Sequence, residues 1–216
     1  KYLRIVNTSS TAAAAGNAVM MRNEAANNLL TYLDIQASNL NAATNGATVP
    51  AAGAVPGAVA ILSTTGANGN DNNTISFCDI HSATTSGNLL NVGVFAVNAT
   101  TLGNASNNDL CTITDNNIYD IFNAATATAG IDICAGNNTW TITNNSYYKS
   151  AATTYTYTGA VSHRGFWVTP NASAVASSGF NISGNYIGGT APACGGSAFT
   201  STAAVANFFN GMDISV

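Results

Sequence analysis

The chain is expected to fold as an all-β, right-handed, single-stranded parallel β-helix (a solenoid) of about five to six coils with irregular loops. Three observations predict this. Two short motifs alternate along the 216 residues, β-branched residues alternate with Asn, Gly and Ser turns, and only 6% of the residues are charged. Globular domains usually carry roughly 25% charge. With 46% hydrophobic residues, the chain is nonetheless too apolar for simple disorder.

The elements follow in order. "YLRIV" reads as a strand of an early coil. "AVMM" from Ala18 opens a motif made of a small residue, an apolar residue, any residue and an apolar one. It returns as "AVAI" from Ala58, "GVFA" from Gly93, "GIDI" from Gly130, "GFWV" from Gly165 and "GMDI" from Gly211. Period-2 alternation turns the apolar pair inward, for example Val59 with Ile61 and Ile131 with Ile133. The small residue fits a bend, or a place where a neighbouring backbone comes close.

A second motif lies between these. It reads Leu30–Leu33–Ile35, Ile75–Cys78–Ile80, Ile113–Asn116–Ile118, Ile142–Asn145–Tyr147 and Ile182–Asn185–Ile187. Its outer members face the core from either side of a bend. The middle residue is expected to sit at the bend and turn inward, where an Asn amide can bond the backbone groups that the bend frees. A structural Asn ladder of Asn116, Asn145 and Asn185 is therefore expected, with Leu33 and Cys78 as apolar replacements in earlier coils. Unequal intervals belong in loops: residues 39–58, with Pro50 and Pro56, form one long excursion and residues 188–206 another. Residues 1–216 are expected to form a single stack. The absence of visible caps leads to the expectation of a longer parent chain with flanking domains.

A net charge of −4 with five Lys and Arg provides no phosphate-neutralising surface, so nucleic acid is excluded as a partner. No apolar run approaches the ~18 residues of a membrane span. The opening "KYLRIVNTSS" lacks a basic n-region and an apolar h-region, so a secretion signal, if any, is expected upstream. Cys78, Cys111, Cys134 and Cys194 have no zinc-type spacing, leaving buried thiols or disulfides open. Cys134 follows an inward residue, faces out, and is a candidate to pair with a loop cysteine. "GANGN" and "GGTAPACGG" lack the strand–loop–helix context of phosphate sites, so no cofactor is expected.

The Asn/Thr/Gly-rich coils, and above all the N-x-I-G-G-T-x-P-x-C-G-G segment from Asn185 to Gly196, resemble the parallel β-helix repeats of secreted surface proteins of Bacteroidota exported by the type IX secretion system. The resemblance implies an extracellular or cell-surface location and a role in adhesion, gliding or polysaccharide handling.

Candidate chemistry lies on the residue between the two inward positions of the first motif: Met20, Ala60, Phe95, Asp132, Trp167 and Asp213. Stacked, these form one outward stripe. Asp132 and Asp213 would lie about 9.6 Å apart at 4.8 Å per coil, with Trp167 between them. Phe95, Asp132, Trp167 and Asp213 are thus the candidate ligand-binding residues, with a glycan as ligand; the competing reading is a solvated acid and a loop-covered aromatic. Asp34 and Asp79 stack as like charges, a pairing that a Ca²⁺ ion would relieve. His81 and His163 match no catalytic spacing and are expected at the surface or bonding loops. The leading functional expectation is a structural or adhesive module, contacting glycans or further copies of surface protein and filament-forming in one version. The alternative is a polysaccharide lyase or glycoside hydrolase on a pectate-lyase-like β-helix. Ice binding by outward Thr rows requires a flat regular array, against which the irregular coil lengths speak.

Overall fold

The computed structural model describes residues 3–9, 16–46, 48–63, 68–85, 87–98, 104–170, 177–203, 205–206 and 208–215. Among these, every strand-to-strand ladder is parallel, and three stacked sheets form the walls of a parallel β-helix. The first sheet has six strands, at Leu3–Asn7, Leu33–Ala37, Asp79–Ser82, Asn117–Tyr119, Ser146–Tyr148 and Tyr186–Ile187. The second has five, at Leu29–Thr31, Thr74–Ser76, Thr112–Thr114, Thr141–Thr143 and Asn181–Ser183. The third has six, at Val19–Arg22, Val59–Ser63, Val92–Asn98, Thr128–Ile133, Ser162–Val168 and Phe208–Ile214. Within each sheet the strands stack in chain order, one per coil.

The register is the one that the motifs dictate. Leu30, Ile75, Ile113, Ile142 and Ile182 form one inward column of the second sheet. Ile35, Ile80, Ile118, Tyr147 and Ile187 form its counterpart in the first. On the third sheet Val59, Val94, Ile131 and Phe166 share a column, with Ile61, Ala96, Ile133 and Val168 beside them. These residues close into one continuous core, fully buried in the middle coils, whereas Met212 and Ile214 of the last coil stay 45% and 46% exposed. Each fully buried Ile contributes about 2 kcal/mol relative to an exposed one.

Three glycines of the third sheet, Gly93, Gly130 and Gly165, sit within strands and mark a close approach. A Cβ on Gly130 would stand 2.6 Å from the Gly165 carbonyl oxygen and would enter the Tyr147 ring. Gly93 and Gly165 face the same restriction, each with its Cβ 2.5 Å from the glycine carbonyl of the next coil.

The Asn ladder forms as expected. The Asn145 Oδ1 accepts from both the backbone N–H and the amide of Asn116, at 3.1 and 3.0 Å. Asn185 does the same for Asn145, at 2.9 and 3.0 Å. Each amide also reaches back to an Ile carbonyl: Ile75 from Asn116, Ile113 from Asn145 and Ile142 from Asn185. Cys78 packs inward at the equivalent place, and its N–H donates to Asn116 Oδ1 at 2.9 Å. The bend itself lies one residue earlier than expected. Tyr32, Phe77, Asp115, Asn144 and Gly184 all have φ between 52° and 65°. The left-handed conformation costs a non-glycine residue about 1 kcal/mol, here offset by inter-coil bonds such as Asp115 N–H to the Thr143 carbonyl.

A second ladder was not expected. Asn70 donates to Asn108 Oδ1 from its backbone N–H and its amide, and the Asn108 amide donates to Asn137 Oδ1 at 2.9 Å. Its signal is an Asn five residues before the second-sheet isoleucine in three successive coils. Next to it runs another left-handed column, Asn27, Asn72, Leu110, Thr139 and Gly179. The second sheet is therefore framed on both sides by a ladder and a column of bends.

Candidate functional site

Met20, Ala60, Phe95, Asp132, Trp167 and Asp213 stack in register, one per coil of the third sheet. Their expected exposure is corrected by the structure. Phe95 and Asp132 are fully buried and Trp167 is 9% exposed. The excursion over residues 39–58 crosses this face and packs Ala43 and Val55 against Ala60, Phe95 and Trp167, making a second core. The signal lay in that excursion's own apolar residues: Ala43, Val49 and Val55 in a long loop need a surface to cover.

Polar anchors hold the excursion down. Thr44 N–H donates to Asp132 Oδ2 at 2.9 Å, and the Cys134 thiol donates to the Thr44 carbonyl at 2.7 Å. Cys134 is thus a buried free thiol, so the expected pairing with a loop cysteine is corrected as well. Burial pushes the Asp132 carboxyl up to about 7, against the lowering effects of the Thr44 N–H, the Cys134 thiol and the Arg164 charge. Asp213 is partly exposed and takes a 2.7 Å bond from Arg164, whose guanidinium lies 3.6 Å from the Trp167 ring centroid. The ring face that a sugar would stack on is occupied by Arg164.

Asp34 and Asp79 do lie side by side on the first sheet. Protein groups serve their charge: Asp34 receives Arg4 at 2.7 Å, His81 at 3.0 Å and the Gln36 amide, while Asp79 receives the Asn117 amide at 2.8 Å. Burial pushes the Asp34 carboxyl up, but Gln36, Arg4 and His81 together hold it below its ordinary value. Among the described residues no group of three or more His, Cys, Asp or Glu side chains is placed to hold a metal ion. His81 stacks on Tyr119 at 4.4 Å, and Tyr119 on Tyr148 at 4.9 Å, so these rings cover one another's faces.

His163, expected at the surface or on a loop, is buried. Its Nδ1 lies 2.8 Å from the Thr128 hydroxyl and its ring 4.3 Å from Tyr157. Burial, with the neighbouring Arg164 charge, lowers it to about 4.

Among the described residues, open concavities lie elsewhere. A groove of about 380 Å³ is lined by Gly87, Asn88, Phe122, Ala124, Thr154 and Thr156. It shares Thr154 with a hollow of about 120 Å³ beside Lys149, Tyr155 and residues 200–202. Phe122 is fixed at its floor by stacking on Tyr155 at 4.4 Å, within a small cluster that includes Leu89 and Tyr157. Asn88 Oδ1 accepts from Ala124 N–H at 3.1 Å, which turns the amide N–H groups outward. The lining of the larger groove is neutral: one amide and two hydroxyls above the buried Phe122 ring. None of these residues stands out in the sequence, because they come from three loops that meet only after the coils stack. Comparison with protein-family models, with characterised proteins and with solved structures finds no match to this chain.

Proposed function

We propose that the chain is a structural and adhesive β-solenoid module of a secreted bacterial surface protein, working outside the cell or on its surface, and that it contacts glycans through the groove at Asn88, Phe122, Thr154 and Thr156. The observation that carries this reading is the groove's composition. Uncharged amide and hydroxyl groups suit the hydroxyls of a neutral sugar. The acids support it from the other side. Asp34, Asp132 and Asp213 are engaged by Arg4, Thr44 and Arg164, and Asp120 by Ser150 and Thr153. They act as struts between coils.

The test is a glycan array with the wild-type chain, followed by titration of each hit. Asn88→Ala and Thr154→Val are expected to weaken binding by about tenfold each, the loss of one or two hydrogen bonds. A wild-type array without hits removes the glycan contact. Turnover of any polysaccharide in the same panel puts the lyase or hydrolase reading first.

A further inference from the structure

The outward face of the second sheet carries two columns of side chains that the proposed glycan contact does not use. One runs Leu29, Thr74, Thr112, Thr141, Asn181, and the other Thr31, Ser76, Thr114, Thr143, Ser183. The three central coils therefore read Thr-Ile-Ser, Thr-Ile-Thr and Thr-Ile-Thr, with each Ile inward; the five threonines are partly exposed, whereas Ser76 is buried. Neither column itself contains a charge; at the border of the second, the Asp115 carboxylate accepts from the Thr114 hydroxyl at 2.8 Å. The unequal coil lengths that spoke against a regular array fall in loops at other corners, and on this sheet the register is unbroken.

Spacing follows from the strand geometry. Hydroxyls repeat about every 4.8 Å up each column, and the two columns stand about 6.7 Å apart along the strand. Those two repeats lie close to the oxygen spacings on the prism face of hexagonal ice. Two further observations bear on a lattice partner. The hydroxyls of the second column bond one another up the stack, Ser76 to Thr31 at 3.2 Å and Thr114 to Thr143 at 3.0 Å, which fixes their rotamers. Thr74, Thr112 and Thr141 in the first column make no side-chain hydrogen bond to protein, so their hydroxyls face solvent on a rigid frame.

That frame is braced from three directions. Inward, the face is backed by the Leu30–Ile182 column, and on either side it is framed by an Asn ladder and a column of left-handed bends. A surface that already holds its groups at lattice positions loses little conformational entropy on binding, which is the condition for many weak contacts to add up.

We propose that this hydroxyl face binds ice: the Thr and Ser hydroxyls take the positions of lattice waters at the growing surface, and the Thr methyl groups fill the hollows between them. The bound chain pins the growth front. This activity is separate from the glycan contact and does not depend on it.

The experiment is thermal hysteresis and ice-recrystallisation inhibition with the 216-residue chain. The wild type is expected to shape ice crystals and to give a hysteresis that rises with concentration. Thr112→Lys and Thr141→Lys are each expected to lower it at least about tenfold by lifting the face off the lattice, with circular dichroism and melting temperature unchanged. Asn88→Ala is expected to leave it intact. A wild type without ice shaping overturns the proposal, as does a folded lysine variant with full hysteresis. If the lysine variants fold poorly, wild-type chain labelled at the exposed Cys194 is followed into a growing ice front. Enrichment in the ice supports the proposal and exclusion overturns it.

Discussion

The second and third sheets belong to the same coils, yet their outward columns meet opposite fates. On the third sheet Phe95 and Asp132 point away from the main core and are still fully buried, because residues 39–58 lie over them. On the second sheet the equivalent outward positions, Thr112, Thr114, Thr141 and Thr143, remain partly exposed. The difference teaches that in a solenoid the strand determines which residues share a column, while the loops determine which columns are surface. Composition has followed in part: the covered column holds Ala60, Phe95 and Trp167 with one buried acid, Asp132, and the bare sheet holds Thr in its central coils.

The comparison can be broken most directly at Phe95. Phe95→Ala is expected to destabilise the fold by about 4 kcal/mol, as a core truncation does, read as a shift in the denaturant midpoint. A loss below about 1 kcal/mol would mean that the excursion does not cover this face in solution. Next in size is the frame of the bare sheet. Asn145→Ala removes the acceptor of two Asn116 donors and the donor to the Ile113 carbonyl, all buried, and is expected to cost about 3 kcal/mol. Asn185→Ala, at a partly exposed rung, is expected to cost less than half of that.

The covered face also carries a pH signature that the bare face lacks. Asp132 holds its proton more tightly folded, to about pH 7, than in the unfolded chain, where the value is 3.8. Between those values the folded state binds more protons, so stability falls as pH rises through the window. Asp132→Asn keeps an acceptor for Thr44 N–H and is expected to flatten that decline, gaining about 2 kcal/mol at pH 8 relative to wild type. His163 works with the opposite sign: lowered to about 4 from 6.5, it costs stability as pH falls through that interval. The difference curve between wild type and Asp132→Asn, from melts at successive pH values, isolates the carboxyl. A difference that does not change with pH would contradict the anchoring of the excursion by a protonated Asp132. Smallest of all, Thr112→Ala on the bare face is expected to change stability by no more than about 0.5 kcal/mol.

Much of the fold could be read from residue spacing. The inward columns, the Asn116–Asn145–Asn185 ladder and the Phe95–Asp132–Trp167–Asp213 stripe all appear at the registers expected of them. Local rules suffice here, because an apolar residue at period 2 and an Asn after a bend repeat in every coil. The Asn70–Asn108–Asn137 ladder leaves a comparable trace at a fixed distance from Ile75, Ile113 and Ile142. The groove left none: Asn88, Phe122 and Thr154 are unrelated in spacing and converge from separate loops.

By itself, then, the amino-acid sequence determined the column in which each side chain stands, since stacking at one strand per coil converts spacing along the chain into position in space. Only the tertiary structure decided which columns meet water. The path of residues 39–58 over the third sheet depends on the distant contacts of Thr44 with Asp132 and of Ala43 and Val55 with Phe95. No local pattern encodes such contacts, because their partners lie one or two coils further along the chain.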